Sequence, residues 1–255
     1  MPGMEHFLYE KRGPIAIMTF NRPEARNCFT PDMVDAMYEC FDDFNEDPEL
    51  RVAVFRSTGD KAWSAGGDLD TLIPAINSGR YKINADPTKR VYSDIFKPII
   101  TAVNGFATLE LILGADMCVA SRNASFALGE VRWGMIPAGG SHIRLPRAVP
   151  WNVSMELILT GRPISAQRAY EVGLVNRLVD KPEEAFEEAM KLAEIVAENA
   201  PMAVQVAKEI AVRAWEHEKG FVLENALFQK VSASNDAKEG PRAYAEKRKP
   251  VFRGD

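Results

Sequence analysis

Apolar residues run along this chain in two rhythms. One is the short unbroken run of a strand buried on both faces, and the other is the three- and four-residue step of an amphipathic helix. FLYE and IAIMTF, on either side of Lys11-Arg12-Gly13-Pro14, predict a hairpin over Phe7 to Phe20, and Asn21-Arg22-Pro23 breaks its second strand. Thr30 then caps a helix with Pro31 in its first turn. Met33, Met37, Cys40, Phe41 and Phe44 mark its apolar face until Asp47-Pro48 stops it. Val52 to Arg56 predicts a strand, and KAWSAGGDLDTL is a two-glycine loop leading into a helix. Residues 74 to 90 are polar and weak in signal, a mobile excursion over the surface on this reading.

Pro98 opens the strand PIITAV. The stretch VNGFATLELILGAD that follows predicts a strand end, a turn and an apolar helix carrying one acid, Glu110. Ala124 to Leu128 is a short strand ending at Gly129-Glu130, and IPAGGSHIRLPRAV is a glycine turn into a helix. Ser165 caps SAQRAYEVG, Gly173 closes it, and LVNRLV is the next strand. From Pro182 onward only helices are expected, with breaks near Ala200-Pro201 and Lys219-Gly220. Strand, glycine turn and helix recur several times before the helical tail, which predicts a mixed α/β core with a helical appendage. The tail's amphipathic faces suit another subunit or the chain's own core equally.

Composition narrows the function classes. Of 255 residues, 46% are hydrophobic and 26% charged, enough apolar material for a real core. The net charge of −5 and the lack of a Lys/Arg block argue against a general affinity for nucleic acid. Cys28, Cys40 and Cys118 form no CxxC pair or disulfide framework, which fits a reducing compartment. His6, His142 and His217 are too scattered for a metal site, so no metal is expected. No window reaches the roughly 18 uninterrupted apolar residues of a membrane span, and the N-terminus lacks a secretory pattern. The expectation is a cytoplasmic protein that binds no membrane.

Two carboxylates stand among apolar residues just after turns: Glu110 at the head of LELILG and Glu130 after FALG. Each alone reads equally as a helix-start acid favoured by the macrodipole or as a solvated turn residue. The loop SAGGDL and the turn after Asn104 offer backbone N–H groups to an anionic oxygen, although most such turns only reverse the chain.

Taken together, AWSAGGDL, ITAVNGFAT, LELILGAD, ASFALGE, GMIPAGGS, RLPRAVP, LTGRPISAQRAYEVGLVNRLV and EGPRAYAEKRKPVF resemble the crotonase (enoyl-CoA hydratase/isomerase) superfamily in composition and order. The resemblance extends from about Asn21 to Gly254 and is nearest to the hydratase and carnitinyl-CoA dehydratase branches. It implies a spiral of repeated β-β-α units over residues 1–195 and a C-terminal helical region, 196–255, that builds a homotrimer or a dimer of trimers. It implies an acyl-CoA substrate, with coenzyme A as part of that substrate and no separate cofactor. Glu110 and Glu130 become the acid/base pair for hydrating a 2-enoyl-CoA, or for the reverse dehydration, with Glu130 the proton donor to the α-carbon. Gly67 supplies one amide to the thioester oxygen, and Thr108 or Leu109 stands where the second donor belongs. Glu24, Ala25 and Arg26 lie along the CoA, Ala65, Gly66, Asp68 and Leu69 border it, and Pro137, Ala138 and Gly139 belong to the substrate pocket.

The chain departs from its resemblance at one place. Relatives usually read NGFATGGGLELALGAD, whereas here Thr108 is joined directly to Leu109. Three residues are nearly one helical turn, so their absence should shorten the helix start or draw Glu110 toward the strand. This leaves open an isomerase, a carnitinyl-CoA dehydratase, or a catalytically impaired acyl-CoA binder beside the hydratase.

Overall fold

The unbroken apolar runs become strands in the computed structural model, which describes residues 3–82, 95–137, 139–214 and 218–253. One sheet orders β1 (Phe7–Arg12), β2 (Ile15–Phe20), β3 (Val52–Ser57), β5 (Ile99–Val103), β7 (Met117–Ser121) and β10 (Arg177–Val179), parallel throughout except for the expected β1–β2 hairpin. The second sheet orders β4 (Ala62–Ser64), β6 (Phe106–Thr108), β8 (Ser125–Ala127) and β9 (Ile164–Ser165), with β9 antiparallel.

Alternation along the first sheet explains why its strands are apolar on both faces. Ile15, Ile17, Val52, Val54, Ile100, Ala102 and Val119 pack against α6 (Pro182–Glu198), where Ala185, Ala189 and Ala193 let the helix approach closely. Ala16, Met18, Phe20, Ala53, Phe55, Ile99 and Val103 turn inward to α1 (Pro31–Glu46) and the second sheet. Thr30 caps α1 as expected, accepting from the Met33 amide at 3.3 Å. Trp63 of β4 joins the layers, its ring 5.0 Å from Phe55 and 5.2 Å from Phe20.

The connectivity is a spiral. From β3 to β4, from β5 to β6 and from β7 to β8, the chain leaves the first sheet and enters the second. Each corner rests on the one before: the Asn104 side chain donates to Gly59 O (2.7 Å), Phe106 N to Lys61 O (3.0 Å), Asn123 Nδ2 to Asp60 O (3.2 Å) and Ser125 N to Gly105 O (3.0 Å). The helices fill the returns: α2 (Leu72–Asn77), α3 (Ser141–Ala148), α4 (Trp151–Thr160) and α5 (Ala166–Glu171), the last capped by Ser165 as expected. Then come α7 (Pro201–Arg213), α8 (Glu218–Ser232) and α9 (Asn235–Ala245).

Several expectations are corrected. β4, β6, β7 and β9 lie outside the predicted elements, because strands of two to five residues leave too few positions for a period to show. The ten-residue helix α4 lies outside them too. The helix expected after Thr108 is absent: residues 109–116 form turns, with one α-type bond from Leu113 N to Leu109 O. β6 ends at Thr108 and β7 begins at Met117 in the other sheet, so the intervening residues are needed to cross over. The break expected near Lys219-Gly220 falls slightly earlier, since α7 ends at Arg213 and α8 starts at Glu218. Gly220 lies inside α8, where a Cβ on it would sit 2.8 Å from Ile143. A further break comes before Ser234, which caps α9. The division expected at residue 195 falls within α6. Residues 83 to 90 of the excursion read at 74 to 90 lie outside the described residues, and α2 occupies its start.

Gly105 carries the corner between β5 and β6 with φ +65°, and a Cβ there would lie 2.4 Å from the Lys61 carbonyl carbon. Gly105→Ala should therefore lower unfolding stability by about 2–4 kcal/mol, from the backbone strain and the clash together. Urea denaturation monitored by circular dichroism checks this, and an unchanged midpoint contradicts it.

Candidate active site

Three neighbouring parallel strands end on one edge, and each delivers a predicted residue just beyond its last position. β4 ends at Ser64 and runs into Ala65-Gly66-Gly67, β6 ends at Thr108 two residues before Glu110, and β8 ends at Ala127 three residues before Glu130. Thr108 is the register partner of Ala127. Two acids that are 20 positions apart in sequence thus leave a paired strand end side by side.

The two carboxyls share a buried site. Oε2 of Glu110 and Oε2 of Glu130 are both sealed from solvent with no hydrogen-bond partner among the described residues. Glu130 opens a short 3-10 turn, Glu130–Trp133. Its carboxyl is held well above the ordinary value of 4.5, first by burial and then by the charge of Glu110. Gly139 backs Glu110 directly: a Cβ on it would lie 2.7 Å from Glu110 Cβ and 3.1 Å from Cγ. The turn beyond Glu110 is tied down at Asp116, which accepts from the Ile99 amide and from Lys208 of α7, both at 2.7 Å.

The expected oxyanion donors divide. Phe29 N donates to Gly66 O and Asp68 N to Phe29 O, both at 2.9 Å, so this parallel bridge brackets Gly67. The amide of Gly67 therefore points to the opposite edge, toward β6. Gly66, at φ +92°, has room for the Thr108 methyl 3.2 Å from its missing Cβ. Leu109 is a correction: its amide donates to Ala127 O at 3.2 Å. Without intervening glycines the ladder runs one residue past Thr108 and takes the amide that the resemblance assigns to the substrate. Thr108 as a whole is 5% exposed, and its hydroxyl is buried with no partner among the described residues.

The other predicted binding residues form a strip beside this edge. Glu24 and Ala25 lie in a 3-10 turn that Arg26 closes at φ +53°, and Arg26 O accepts from the Ala65 amide at 3.0 Å. Glu24 and Arg26 point their side chains to solvent. Leu69 is half-buried and Pro137 is buried, while Ala138 lies outside the described residues. The Asp68 side chain is engaged inside the protein. One oxygen pairs with Arg22 at 2.7 Å and the other accepts from Asp70 N, Thr71 N and Thr71 Oγ1, each at 3.0 Å. Burial pushes its carboxyl up, but these partners outweigh burial and leave it below the usual range.

Sequence reasoning missed Asn27, fully buried at φ +53°, whose side chain donates to Thr58 O and Ala62 O and accepts from Arg22 N. A left-handed Asn after a Pro turn is the only signal that could have found it. It also missed the tail's part in the site. Gly240 of α9 lies against the Trp133 carbonyl, and Glu224 of α8 accepts from Gly140 N at 2.9 Å.

The family model for enoyl-CoA hydratase/isomerase matches residues 10–255. The chain belongs to this family. It is 39% identical to a carnitinyl-CoA dehydratase of Salmonella typhi over 256 residues, covering 96% of this chain and 97% of the relative. It is 35% identical to an enoyl-CoA hydratase of Mycobacterium tuberculosis, over 96% of this chain and 95% of that one. The crystal structure of a carnitinyl-CoA hydratase from Mycobacterium avium superposes with a TM-score of 0.89 at 36% identity, covering 98% and 99% of the two chains. The chain is thus a lyase-type enzyme of the enoyl-CoA hydratase/isomerase family with the crotonase fold. Among the described residues no helix is long and apolar enough to cross a membrane, and no cluster of metal-binding side chains occurs.

The buried acid of this family member makes stability depend on pH. Because Glu130 holds its proton above 4.5, the folded chain binds more protons than the unfolded one as pH rises from 4.5 toward the folded value, and stability falls across that window. Glu130→Gln removes this loss. Its Tm relative to wild type should be constant below the window, rise through it and level off above it, and a pH-independent difference contradicts the assignment.

Proposed function

We propose that this chain adds water across the double bond of a 2-enoyl-CoA to give a 3-hydroxyacyl-CoA, or catalyses the reverse dehydration. The buried Glu110–Glu130 pair carries this reading. Glu110 takes a proton from water as its oxygen bonds to the β-carbon. The π electrons shift toward the thioester oxygen, and Glu130 then protonates the α-carbon as the enolate collapses. A carboxyl kept protonated by burial and a neighbouring acid is suited to the donor role.

The enolate oxygen needs donors aimed at it. The reading takes Gly67 N–H as one and the uncommitted Thr108 hydroxyl as the other, since the amide of Leu109 is held by Ala127. Glu24, Ala25 and Arg26 with Ala65, Gly66 and Leu69 would lie along the CoA, with Arg26 free to meet a phosphate, and Pro137 to Gly139 would border the acyl group. No metal or cofactor beyond the substrate's own CoA is called for. Met202, Val206 and Ile210 form an exposed apolar stripe at four-residue steps on α7, 78%, 45% and 65% exposed, which supports association with further copies of the chain. The reading takes that assembly as a trimer or a dimer of trimers, in the cytoplasm.

A carnitinyl-CoA dehydratase would use the same two acids on a charged acyl group. An isomerase needs only the acid at Glu130, so the retained Glu110 favours hydration. The amide held by Ala127 favours one further reading, an acyl-CoA binder without turnover.

Loss of enone absorbance with a short 2-enoyl-CoA tests the proposal. Wild type should turn over, and Glu110→Gln and Glu130→Gln should each lower kcat by about 10²- to 10⁴-fold. Thr108→Val should lower it by about 10²- to 10³-fold while Thr108→Ser retains most of the rate. CoA-thioester binding without any turnover would overturn the hydratase in favour of the binder.

A further inference from the structure

The acid at position 110 is held from behind by a chain of contacts that begins in the tail. Gly139 has no side chain because Glu110 Cβ occupies the space, 2.7 Å from where its own Cβ would stand. The next residue, Gly140, caps α3 at φ +83°, and its amide is one of the N–H groups that a helix start leaves without an intrahelical acceptor. Glu224 of α8 supplies that acceptor: Oε2 takes the Gly140 N–H at 2.9 Å, and Oε1 lies 3.4 Å from His142 Nδ1. The Glu224 side chain is only 2% exposed, so this carboxylate is held inside the protein and faces the start of α3. One turn earlier on α8, Gly220 lies against Ile143, and a Cβ there would be 2.8 Å from Ile143 Cγ1. Helix α8 thus touches the first turn of α3 at two points on one face, and the glycine loop between α3 and Glu110 cannot shift without breaking them.

We propose that Glu224 is a positioning residue for the reaction, fixing Glu110 through the Gly139-Gly140 loop. The proposal rests on the hydratase reading above. It gives the C-terminal helices a part in catalysis separate from any part in assembly. A carboxylate is suited to this place, because a helix start attracts negative charge and its amides need an acceptor. Glutamine keeps an oxygen for the Gly140 amide but gives up the charge, whereas alanine gives up both.

The test is a double-mutant cycle in the enone assay. Glu224→Gln should lower kcat about 10-fold and Glu224→Ala about 100-fold, the scale expected when a reacting group is misplaced by about an ångström, with KM changed less than about 2-fold. In the Glu110→Gln background neither substitution should lower kcat further, because the carboxyl they position is gone. Equal losses in both backgrounds would show a merely structural role and overturn the proposal, as would wild-type kcat in Glu224→Ala. Circular dichroism at the assay temperature reports whether Glu224→Ala is folded, and Glu224→Gln carries the cycle if it is not. Absence of turnover in wild type, or an undiminished rate in Glu110→Gln, would instead refute the hydratase reading and this proposal with it.

Discussion

The register of one strand pair decides what this chain can do. Thr108 of β6 stands opposite Ala127 of β8 in a parallel ladder, and the acids follow two and three residues later. Burial and the charge of the neighbouring Glu110 raise the Glu130 carboxyl well above its ordinary value. A slip of one residue in this pairing would turn one strand's side chains to the opposite face and part the acids. The corner bonds from Asn104, Phe106, Asn123 and Ser125, and the aromatic joint around Trp63, matter chiefly because they hold that register.

The same ladder explains what the shortened turn costs. With no glycines after Thr108, the sheet bonds continue to Leu109 and no helix forms before β7. The chain keeps its acids and loses a free amide. What stands at that point instead is a threonine whose buried hydroxyl has no partner among the described residues, an exception to the rule that buried polar groups find partners. Around this edge the tail closes the structure from behind, α8 against the start of α3 and α9 against the turn of Glu130. Residues far apart in sequence therefore set the position of each acid.

Much of this was legible beforehand where a physical signal is local. The β1–β2 hairpin, the Thr30 and Ser165 caps and the apolar face of α1 follow from turn residues and periodicity, and all are present. The carboxyl pair was legible only through family resemblance, because nothing in a spacing of 20 residues implies contact. Leu109 was misjudged because which groups are already engaged inside the protein depends on tertiary partners, here Ala127, that no sequence pattern names. Glu224 reads on paper as one more acid of a helical tail, and only its burial against Gly140 distinguishes it.

The central claim is that Glu130 shares its site with Glu110 closely enough to hold its proton above the ordinary carboxyl value of 4.5. Infrared difference spectroscopy between wild type and Glu130→Gln, followed as pH rises from 4.5, tests it most directly. The account predicts a protonated-carboxyl carbonyl band that persists above pH 4.5 in wild type, is lost in Glu130→Gln and titrates at lower pH in Glu110→Gln. A wild-type band that titrates at or below pH 4.5 would contradict it.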